Sequence, residues 1–237
     1  MRNQDVLTGQ VLSWRLERDK RLKKIYVQVH PQEGIVVRAP QGVSRSRIMG
    51  ILAARQQWLS SLIEETALRC PRREYADGSS VPYLGRELSL RIFASQGRPH
   101  AQWLDQEIYL YLAPELGQDR DQVRDFLQRA YKAQASSWFP TRVQQLNARH
   151  FGYNLGNIRV KNLTRVLGSC SDLGNLNFNW RLVLAPAEVV DYVIIHELAH
   201  MKEMNHSQRF WKAVAQACPD YRLHRSWLKE MSGTLYI

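Results

Sequence analysis

The segment His196-Glu197-Leu198-Ala199-His200 places two histidines four positions apart, with a glutamate directly after the first. On an α-helix, residues four apart project from the same face, so both imidazoles can reach one Zn²⁺ ion. Glu197 lies one position further round the helix, where its carboxylate can take a proton from water without binding the ion. The pattern therefore predicts a catalytic zinc site in which Glu197 is the general base.

A catalytic zinc site needs a third protein ligand, and two residues downstream compete for this role. Glu203 continues the face of His196 and His200 if the helix persists that far. His206 lies beyond Asn205, a residue that could adopt the left-handed conformation that ends a helix. Because neutral imidazole suits zinc well, the sequence favours His206 over Glu203.

The first two ligands require a helix, which is predicted from about residue 186 to residue 204. Pro186 is tolerated at its start, and a continuous apolar run follows, namely Val189, Val190, Val193, Ile194 and Leu198. Ser207 is a good N-cap for the next helix, whose buried face would include Phe210, Trp211 and Val214. This arrangement places His206 in a short turn that points back at the histidine pair.

The first part of the chain is predicted to be rich in β-strands. Alternating residues in segment 6–40 indicate a β-meander, with a hairpin turn at Pro31–Gly34. Ser44 is a credible N-cap for one helix with a single apolar stripe, formed by Ile48, Ile51, Leu52, Leu59 and Leu62. Two further strand-like stretches follow, near Leu88–Phe93 and Ile108–Leu112.

The second part of the chain is predicted to be mainly helical. A helix begins near Asp119, with Gln122 as its capping-box partner, and Pro140 should kink or split it. The boundary is placed near residue 115, which gives a β-rich part at 1–115 and a catalytic part at 116–237. The expected fold class is therefore α+β.

The cysteine pattern predicts a cytoplasmic protein, and the short apolar segments predict that the chain does not span a membrane. Cys70, Cys170 and Cys218 lie far apart, which excludes a disulfide framework and a four-cysteine zinc site and favours reduced thiols. The first ten residues contain no apolar segment of the kind that directs secretion. Apolar runs such as Leu182–Ala185 are far too short to span a bilayer.

The charge balance is strongly basic. There are 33 Lys and Arg against 22 Asp and Glu, a net charge of +11, and residues 1–69 hold 12 basic and 6 acidic side chains. Such an excess can recruit nucleic acid through counterion release, or an acidic substrate through steering. It can equally be an ordinary solvated surface, and the absence of interleaved aromatic residues favours that interpretation.

Other residues that could take part in the chemistry of a site lie in less specific patterns. Asn175–Trp180 alternates polar and apolar residues, so we expect a half-buried strand, and either this strand or the Gly168–Ser171 loop could line the cleft. An ordinary core strand is the alternative. Cys170 has no evident partner as a nucleophile. Four residues after the histidine motif could stabilise negative charge but are expected to lie on the surface of a helix, namely Tyr221, Arg222, His224 and Arg225. The remaining histidines are expected to be ordinary surface or core residues, namely His30, His100 and His150.

Three segments together resemble the YgjP-like metallopeptidase family, relatives of the SprT-like zincins: residues 167–171 (LGSCS), residues 174–181 (GNLNFNWR) and residues 196–211 (HELAHMKEMNHSQRFW). N-terminal segments are similar as well, so the resemblance covers most of the chain. It implies a zincin-like, mainly helical catalytic part with a small sheet, in which His196, His200 and His206 bind zinc and Glu197 is catalytic. Glu203 stands where metzincins have glycine, so the turn to His206 must be built differently.

The sequence therefore predicts a metallopeptidase that holds one Zn²⁺ per chain and cleaves peptide or protein substrates with a zinc-activated water. One alternative is a metal-dependent nucleotide phosphohydrolase, for which the basic charge is mild support. Another is a protease associated with nucleic acid, recruited through its basic N-terminal half.

Overall fold

The structure is a computed structural model that describes residues 2–7, 10–30, 34–69, 75–163, 166–231 and 235. Within these residues the backbone forms eleven β-strands and seven α-helices, which is the α+β fold that the sequence predicts. The strands are β1 (Arg2–Leu7), β2 (Gln10–Arg18), β3 (Tyr26–His30), β4 (Gly34–Ala39), β5 (Ser80–Tyr83), β6 (Arg86–Ala94), β7 (His100–Trp103), β8 (Glu107–Leu112), β9 (Ile158–Lys161), β10 (Gly168–Cys170) and β11 (Leu176–Asn179). The helices are α1 (Arg45–Ala54), α2 (Gln56–Arg69), α3 (Pro114–Gln118), α4 (Arg120–His150), α5 (Ala187–His200), α6 (Gln208–Ala217) and α7 (Tyr221–Met231). No helix in this described part combines the length and the hydropathy that a membrane span requires.

The chain divides into two compact units, residues 1–72 and residues 73–235. The boundary lies near residue 72, whereas the sequence placed it near residue 115. The difference arises because the strands between these positions share a core with the helices that follow them. For example, the hydroxyl of Tyr131 in α4 donates a hydrogen bond of 2.6 Å to the carbonyl oxygen of Pro82 in β5.

The N-terminal unit contains a four-stranded sheet with the strand order β1-β2-β4-β3. The predicted β-meander is wrong, because β4 inserts between β2 and β3 and pairs with β2 in parallel. The antiparallel hairpin of β3 and β4 is confirmed, although residues 31–33 of its turn lie outside the described residues. One face of the sheet packs on helices in a small core, formed by Trp14, Ile35, Val37, Ala39, Ile48, Leu52 and Leu59.

The helical segment of this unit consists of two helices rather than the one that the sequence predicts. Ser44 caps α1 as expected, since its side chain accepts a hydrogen bond of 3.3 Å from the backbone N–H of Arg47. The apolar stripe is interrupted at Arg55, where α1 ends and α2 begins. Ile48 and Leu59 still reach the same core from the two sides of this break.

The C-terminal unit begins with a second four-stranded sheet, in the order β5-β6-β8-β7, and continues into the long helix α4. Asp119 caps α4, accepting hydrogen bonds from the backbone N–H groups of Asp121 and Gln122. The helix continues through Pro140 to its end, so the predicted split does not occur. Its continuity is consistent with a buried face on both sides of the proline, formed by Val123, Leu127, Tyr131, Ala135, Phe139 and Val143.

A three-stranded sheet and the helix α5 complete the core of this unit. The strand order is β10-β11-β9, with β11 antiparallel to β10 and parallel to β9. α5 contacts α4, α6, α7 and β10. Val190, Ile194 and Leu198 of α5 are fully buried, so the helix is fixed on its inner side by the core.

Candidate metal centre

The two histidines of the HExxH segment lie in the last two turns of α5. The helix begins after Pro186 and ends at His200, with Met201 as its C-cap, so it is shorter than the predicted span of 186–204. Their rings face each other edge-on, with centroids 4.9 Å apart. The same-face placement that the spacing predicts is therefore present.

The turn after α5 brings His206 back toward the helix by a route that the sequence did not predict. The ring Nδ1 of His200 lies 3.0 Å from the carbonyl oxygen of Glu203, which anchors the turn to the helix. Asn205 does not adopt a left-handed backbone; its side chain instead accepts a hydrogen bond of 3.1 Å from the N–H of Ser207. Ser207 then caps α6 as predicted, accepting from the N–H of Phe210.

The three predicted histidine ligands form one cluster. His196, His200 and His206 each offer a ring nitrogen, and these nitrogens all lie within 4.8 Å of one another. The Nε2 atoms of His196 and His206 are 3.1 Å apart. Two nitrogens bound to a tetrahedral Zn²⁺ at about 2.0–2.1 Å are separated by about 3.3 Å, so this pair already has nearly the required spacing.

Glu203, the competing third ligand, does not belong to this cluster. The helix ends before it, so its side chain is not carried on the helical face of the two histidines. Its carboxylate oxygen Oε2 instead accepts a hydrogen bond of 3.4 Å from the hydroxyl of Ser207. Glu203 therefore shapes the turn through its backbone and its side chain.

The hydrogen bonding of the imidazoles fits metal binding. A carbonyl oxygen only accepts, so Nδ1 of His200 carries the proton and the neutral ring keeps a lone pair on Nε2. Nδ1 of His196 is buried and has no hydrogen-bond partner among the described residues. The cluster thus contains one ring with a defined tautomer, His200, and two Nε2 atoms that lie close together, those of His196 and His206. Such a set of nitrogen donors suits a divalent metal ion.

The surroundings of His196 and His206 favour the neutral form of their rings. Burial, together with the neighbouring His200, His206 and Arg225, lowers the pKa of His196 to about 3, and burial is the largest cause. Burial also lowers the pKa of His206. Because neutral imidazole is the form that binds metal, the site is prepared for a cation at neutral pH.

Glu197 lies on the inner side of α5 against strand β10. Only 6% of its surface is exposed, and burial raises the pKa of its carboxyl group to about 7. A Cβ atom placed on Gly168 would lie 2.7 Å from Oε1 and 2.8 Å from Cγ of Glu197. The absence of a side chain at Gly168 therefore makes room for this carboxylate, a contact that the sequence did not reveal.

The asparagine-rich strand is not the edge strand that could accept a substrate. β11 is paired on both sides, with β10 and with β9. The amide of Asn177 donates to the hydroxyl of Ser169, and that of Asn179 donates to the carbonyl oxygen of Leu163. The alternative of an ordinary core strand fits these contacts. Among the described strands, β10 is the edge that lies beside α5, in agreement with the second candidate, the Gly168–Ser171 loop.

Cys170 lies on β10 as a partly buried thiol. Burial, together with the neighbouring carboxylates of Glu197 and Asp172, raises its pKa to about 11, and burial is the largest cause. A thiol with such a pKa is protonated at neutral pH and is a poor nucleophile. This agrees with the sequence interpretation, in which Cys170 has no nucleophilic role.

Two aromatic residues of α6, Phe210 and Trp211, pack against the histidines. The ring of the fully buried Phe210 lies 4.9, 4.5 and 4.8 Å from those of His196, His200 and His206. Trp211 stacks on His206 at 5.7 Å. The sequence predicted both residues as the buried face of α6, but it gave no signal that they contact the ligands.

The remaining candidates lie outside the cluster. Among the described residues, no second group of three potential metal-ligating side chains is present. The exposed ring of His100 stacks on Tyr111, and His150 lies at the end of α4. The side chain of His30 is outside the described part. The ring of His224 lies 6.3 Å from that of Tyr192, measured between centroids, and His224 is not part of the cluster.

An α+β unit whose helix-borne HExxH histidines meet a third histidine and a buried glutamate has the features of a metallopeptidase domain. The chain belongs to the YgjP-like metallopeptidase domain family, whose profile matches residues 23–231. The family implies a bound metal ion, and the histidine cluster is where the chain could hold it.

Two solved structures are similar to part of the chain. One is the crystal structure of the metallopeptidase zymogen of Pyrococcus abyssi abylysin, at 22% identity and a TM-score of 0.35, covering 39% of this chain and 91% of that chain. The other is the metallopeptidase zymogen of Methanocaldococcus jannaschii jannalysin, at 23% identity and a TM-score of 0.32, covering 37% and 92%. No curated protein matches the chain significantly.

Proposed function

We propose that this chain is a zinc-dependent peptidase in which His196, His200 and His206 hold one Zn²⁺ ion and Glu197 is the general base. The observation that carries the proposal is the convergence of three ring nitrogens within 4.8 Å, on the helix that also bears a buried glutamate. When bound, the ion supplies Lewis acidity, which polarises a peptide carbonyl and acidifies water.

The role of Glu197 follows from its surroundings. Its carboxyl group has a pKa of about 7 because it is buried, so the group can both accept a proton and return it near neutral pH. In the proposed reaction Glu197 takes a proton from the attacking water and delivers it to the leaving amine. Its carboxylate occupies the space that a side chain at residue 168 would take, so it lies against strand β10.

The substrate is proposed to be an extended segment of a peptide or protein. We place this segment along β10. This strand is paired only with β11 among the described strands, and it lies beside α5. A free strand edge can form main-chain hydrogen bonds with an extended peptide of varied sequence. Binding there would place the peptide beside Glu197.

The proposal is tested by loading the purified full chain with Zn²⁺, measuring the metal content and assaying two substrates. We expect one zinc ion per chain and cleavage of casein. Release of phosphate from nucleoside triphosphates is measured in parallel, because this activity is what the phosphohydrolase alternative predicts. Phosphate release without any peptide cleavage would overturn the peptidase proposal.

Substitution of the catalytic groups separates metal binding from proton transfer. Glu197→Gln should retain the ion and lose turnover by a factor of about 10² to 10⁴, since general base catalysis supplies that much. His196→Ala should lose both the ion and the activity. Glu188→Gln, at an exposed glutamate in the first turn of the same helix, is the matched control and should behave as wild type. Full turnover in Glu197→Gln would remove Glu197 as the base.

A further inference from the structure

One cation on α7 lies over an aromatic ring that contacts the histidine cluster, and it has no acidic partner among the described residues. The guanidinium carbon of Arg225 lies 4.9 Å from the ring centroid of Trp211, and Trp211 in turn stacks on His206. The Arg225 side chain is exposed, and no carboxylate within the described part lies at ion-pair distance from it. α7 packs against α5, the helix that bears His196 and Glu197.

The neighbouring Arg222 shows what an ordinary surface arginine on this helix looks like. Its guanidinium lies 5.8 Å from the ring of Tyr221, and its Nε donates a hydrogen bond of 3.3 Å to the hydroxyl of the same residue. That guanidinium is therefore held by its own neighbour on the helix. The guanidinium of Arg225, by contrast, lies over the ring of Trp211, and that ring stacks on His206.

A cation in this position is unfavourable next to the metal ion that the proposed function places on the histidines. Two like charges repel each other. An anion that lies between the two cations reverses the sign of the interaction, because both cations then attract it. An arginine is suited to this role, since its planar N–H groups hold an oxyanion in a fixed geometry.

We propose that Arg225 binds a negatively charged oxygen of the peptide substrate, next to the ion held by the three histidines. This inference rests on the proposed function and adds a substrate-binding residue to it. Trp211 holds the guanidinium in place through its ring face, so the charge stays beside the site although the side chain is exposed.

The oxygen can come from two places in the substrate. One source is a carboxylate, either an acidic side chain or the C-terminal group. The other is the scissile carbonyl: water adds to its carbon while Glu197 takes one water proton, and the π electron pair moves onto the carbonyl oxygen, which becomes negative. Return of that pair expels the amine, which receives the proton from Glu197.

Binding of inorganic phosphate tests the anion site without any turnover. The affinity of the zinc-loaded chain for phosphate is measured by isothermal titration calorimetry for wild type, Arg225→Gln and the control Arg222→Gln, with metal content determined for each. Loss of a charge-assisted hydrogen bond predicts at least about tenfold weaker binding in Arg225→Gln, while Arg222→Gln should stay within about twofold of wild type. Equal affinity in wild type and Arg225→Gln overturns the proposal.

The metal measurement keeps this outcome separate from the proposed function. If wild type binds no ion, the zinc peptidase proposal fails on its own. The comparison of phosphate affinity between wild type and Arg225→Gln is then made on the metal-free proteins, and it still decides whether Arg225 forms an anion site.

Peptide kinetics identify the source of the oxygen. A mixture of peptides with free or amidated C-termini, and with or without acidic side chains, is digested by wild type and Arg225→Gln. An increase in KM confined to peptides with a carboxylate assigns the residue to carboxylate recognition. A uniform fall in kcat with unchanged KM assigns it to the carbonyl oxygen. Kinetics identical to those of wild type for every peptide contradict the proposal.

Discussion

Replacement of Gly168 by alanine tests how closely the carboxylate of Glu197, the proposed general base, is positioned. The added Cβ would lie 2.7 Å from Oε1, 2.8 Å from Cγ and 3.0 Å from Cδ of Glu197. Carbon atoms normally approach no closer than about 3.5 Å, so either the carboxylate or strand β10 must move by several tenths of an ångström. Cγ lies near the base of the side chain, and rotation of the carboxyl group alone therefore does not relieve the contact.

The size of the effect follows from the sensitivity of catalysis to geometry. A displacement of about 1 Å costs about 10²-fold, so we expect kcat of Gly168→Ala to fall by about 10- to 100-fold. The metal content should be unchanged, since the contacts of this Cβ are with Glu197 and not with the histidines.

The assay measures peptide cleavage, zinc content and thermal stability for Gly168→Ala beside Gly117→Ala. At Gly117 a Cβ would meet only a side-chain methyl of Ile92 at 3.4 Å, so the control variant should keep its activity. Wild-type kcat in Gly168→Ala, with full zinc content, would refute the reasoning that this glycine makes room for the carboxylate of Glu197.

Three further predictions concern the ligands, the buried carboxyl group and the packing of α5. His206→Ala should lose zinc on dialysis while Glu203→Ala retains it, and the reverse result would make Glu203 the ligand. In the metal-free protein, Glu197→Gln should raise the free energy of unfolding at pH 8 by at most about 3 kcal/mol. The reason is that burial raises the pKa of Glu197 from 4.5 to about 7, so the ionised carboxylate destabilises the folded state. This gain should shrink as the pH falls from 7 to 4.5, and urea unfolding that shows an equal gain at pH 5 would contradict it. Arg142→Met should lower the free energy of unfolding by about 1 kcal/mol in the same assay, since Arg142 binds Asp191 of α5 through two hydrogen bonds. An unchanged free energy of unfolding would show that solvent fully screens the pair.

The parts of the site that were predictable from sequence depend on local geometry. The spacing of His196 and His200 determines their common face on any helix, and Ser207 caps α6 through a bond to a residue three positions away. The choice of His206 over Glu203 rested on ligand chemistry. It matches the observed cluster because the helix ends at His200 and does not carry Glu203 onward.

The parts that were missed depend on backbone groups or on distant contacts. The turn to His206 uses the carbonyl oxygen of Glu203, and every residue has a carbonyl, so no residue type marks it. Gly168 meets Glu197 through tertiary packing of β10 on α5. The parallel pairing of β2 with β4 is likewise a long-range choice, which alternation along a single strand does not specify.

The nucleic-acid contact of the basic N-terminal half stays a prediction. Part of its charge is neutralised internally, since the carboxylate of Glu17 lies 3.4 Å from the guanidinium of Arg15 and 2.8 Å from that of Arg38. Lys20, Lys23 and Lys24 remain exposed. A titration with duplex DNA at several salt concentrations decides the matter, because phosphate contacts require log affinity to fall linearly with log salt.

The anchoring of α5 by its buried inner residues has a consequence for the demetallated enzyme. Val190, Ile194 and Leu198 keep the helix in place through the core, whereas residues 201–207 have no regular secondary structure. Their backbone hydrogen bonds to the helix come from Met201, Lys202 and Glu203, at the start of the turn. Chelation should therefore increase amide hydrogen exchange in this turn while α5 stays protected. Uptake of the ion would then be a local ordering event rather than a refolding of the enzyme, and the protein could be stripped and reloaded reversibly.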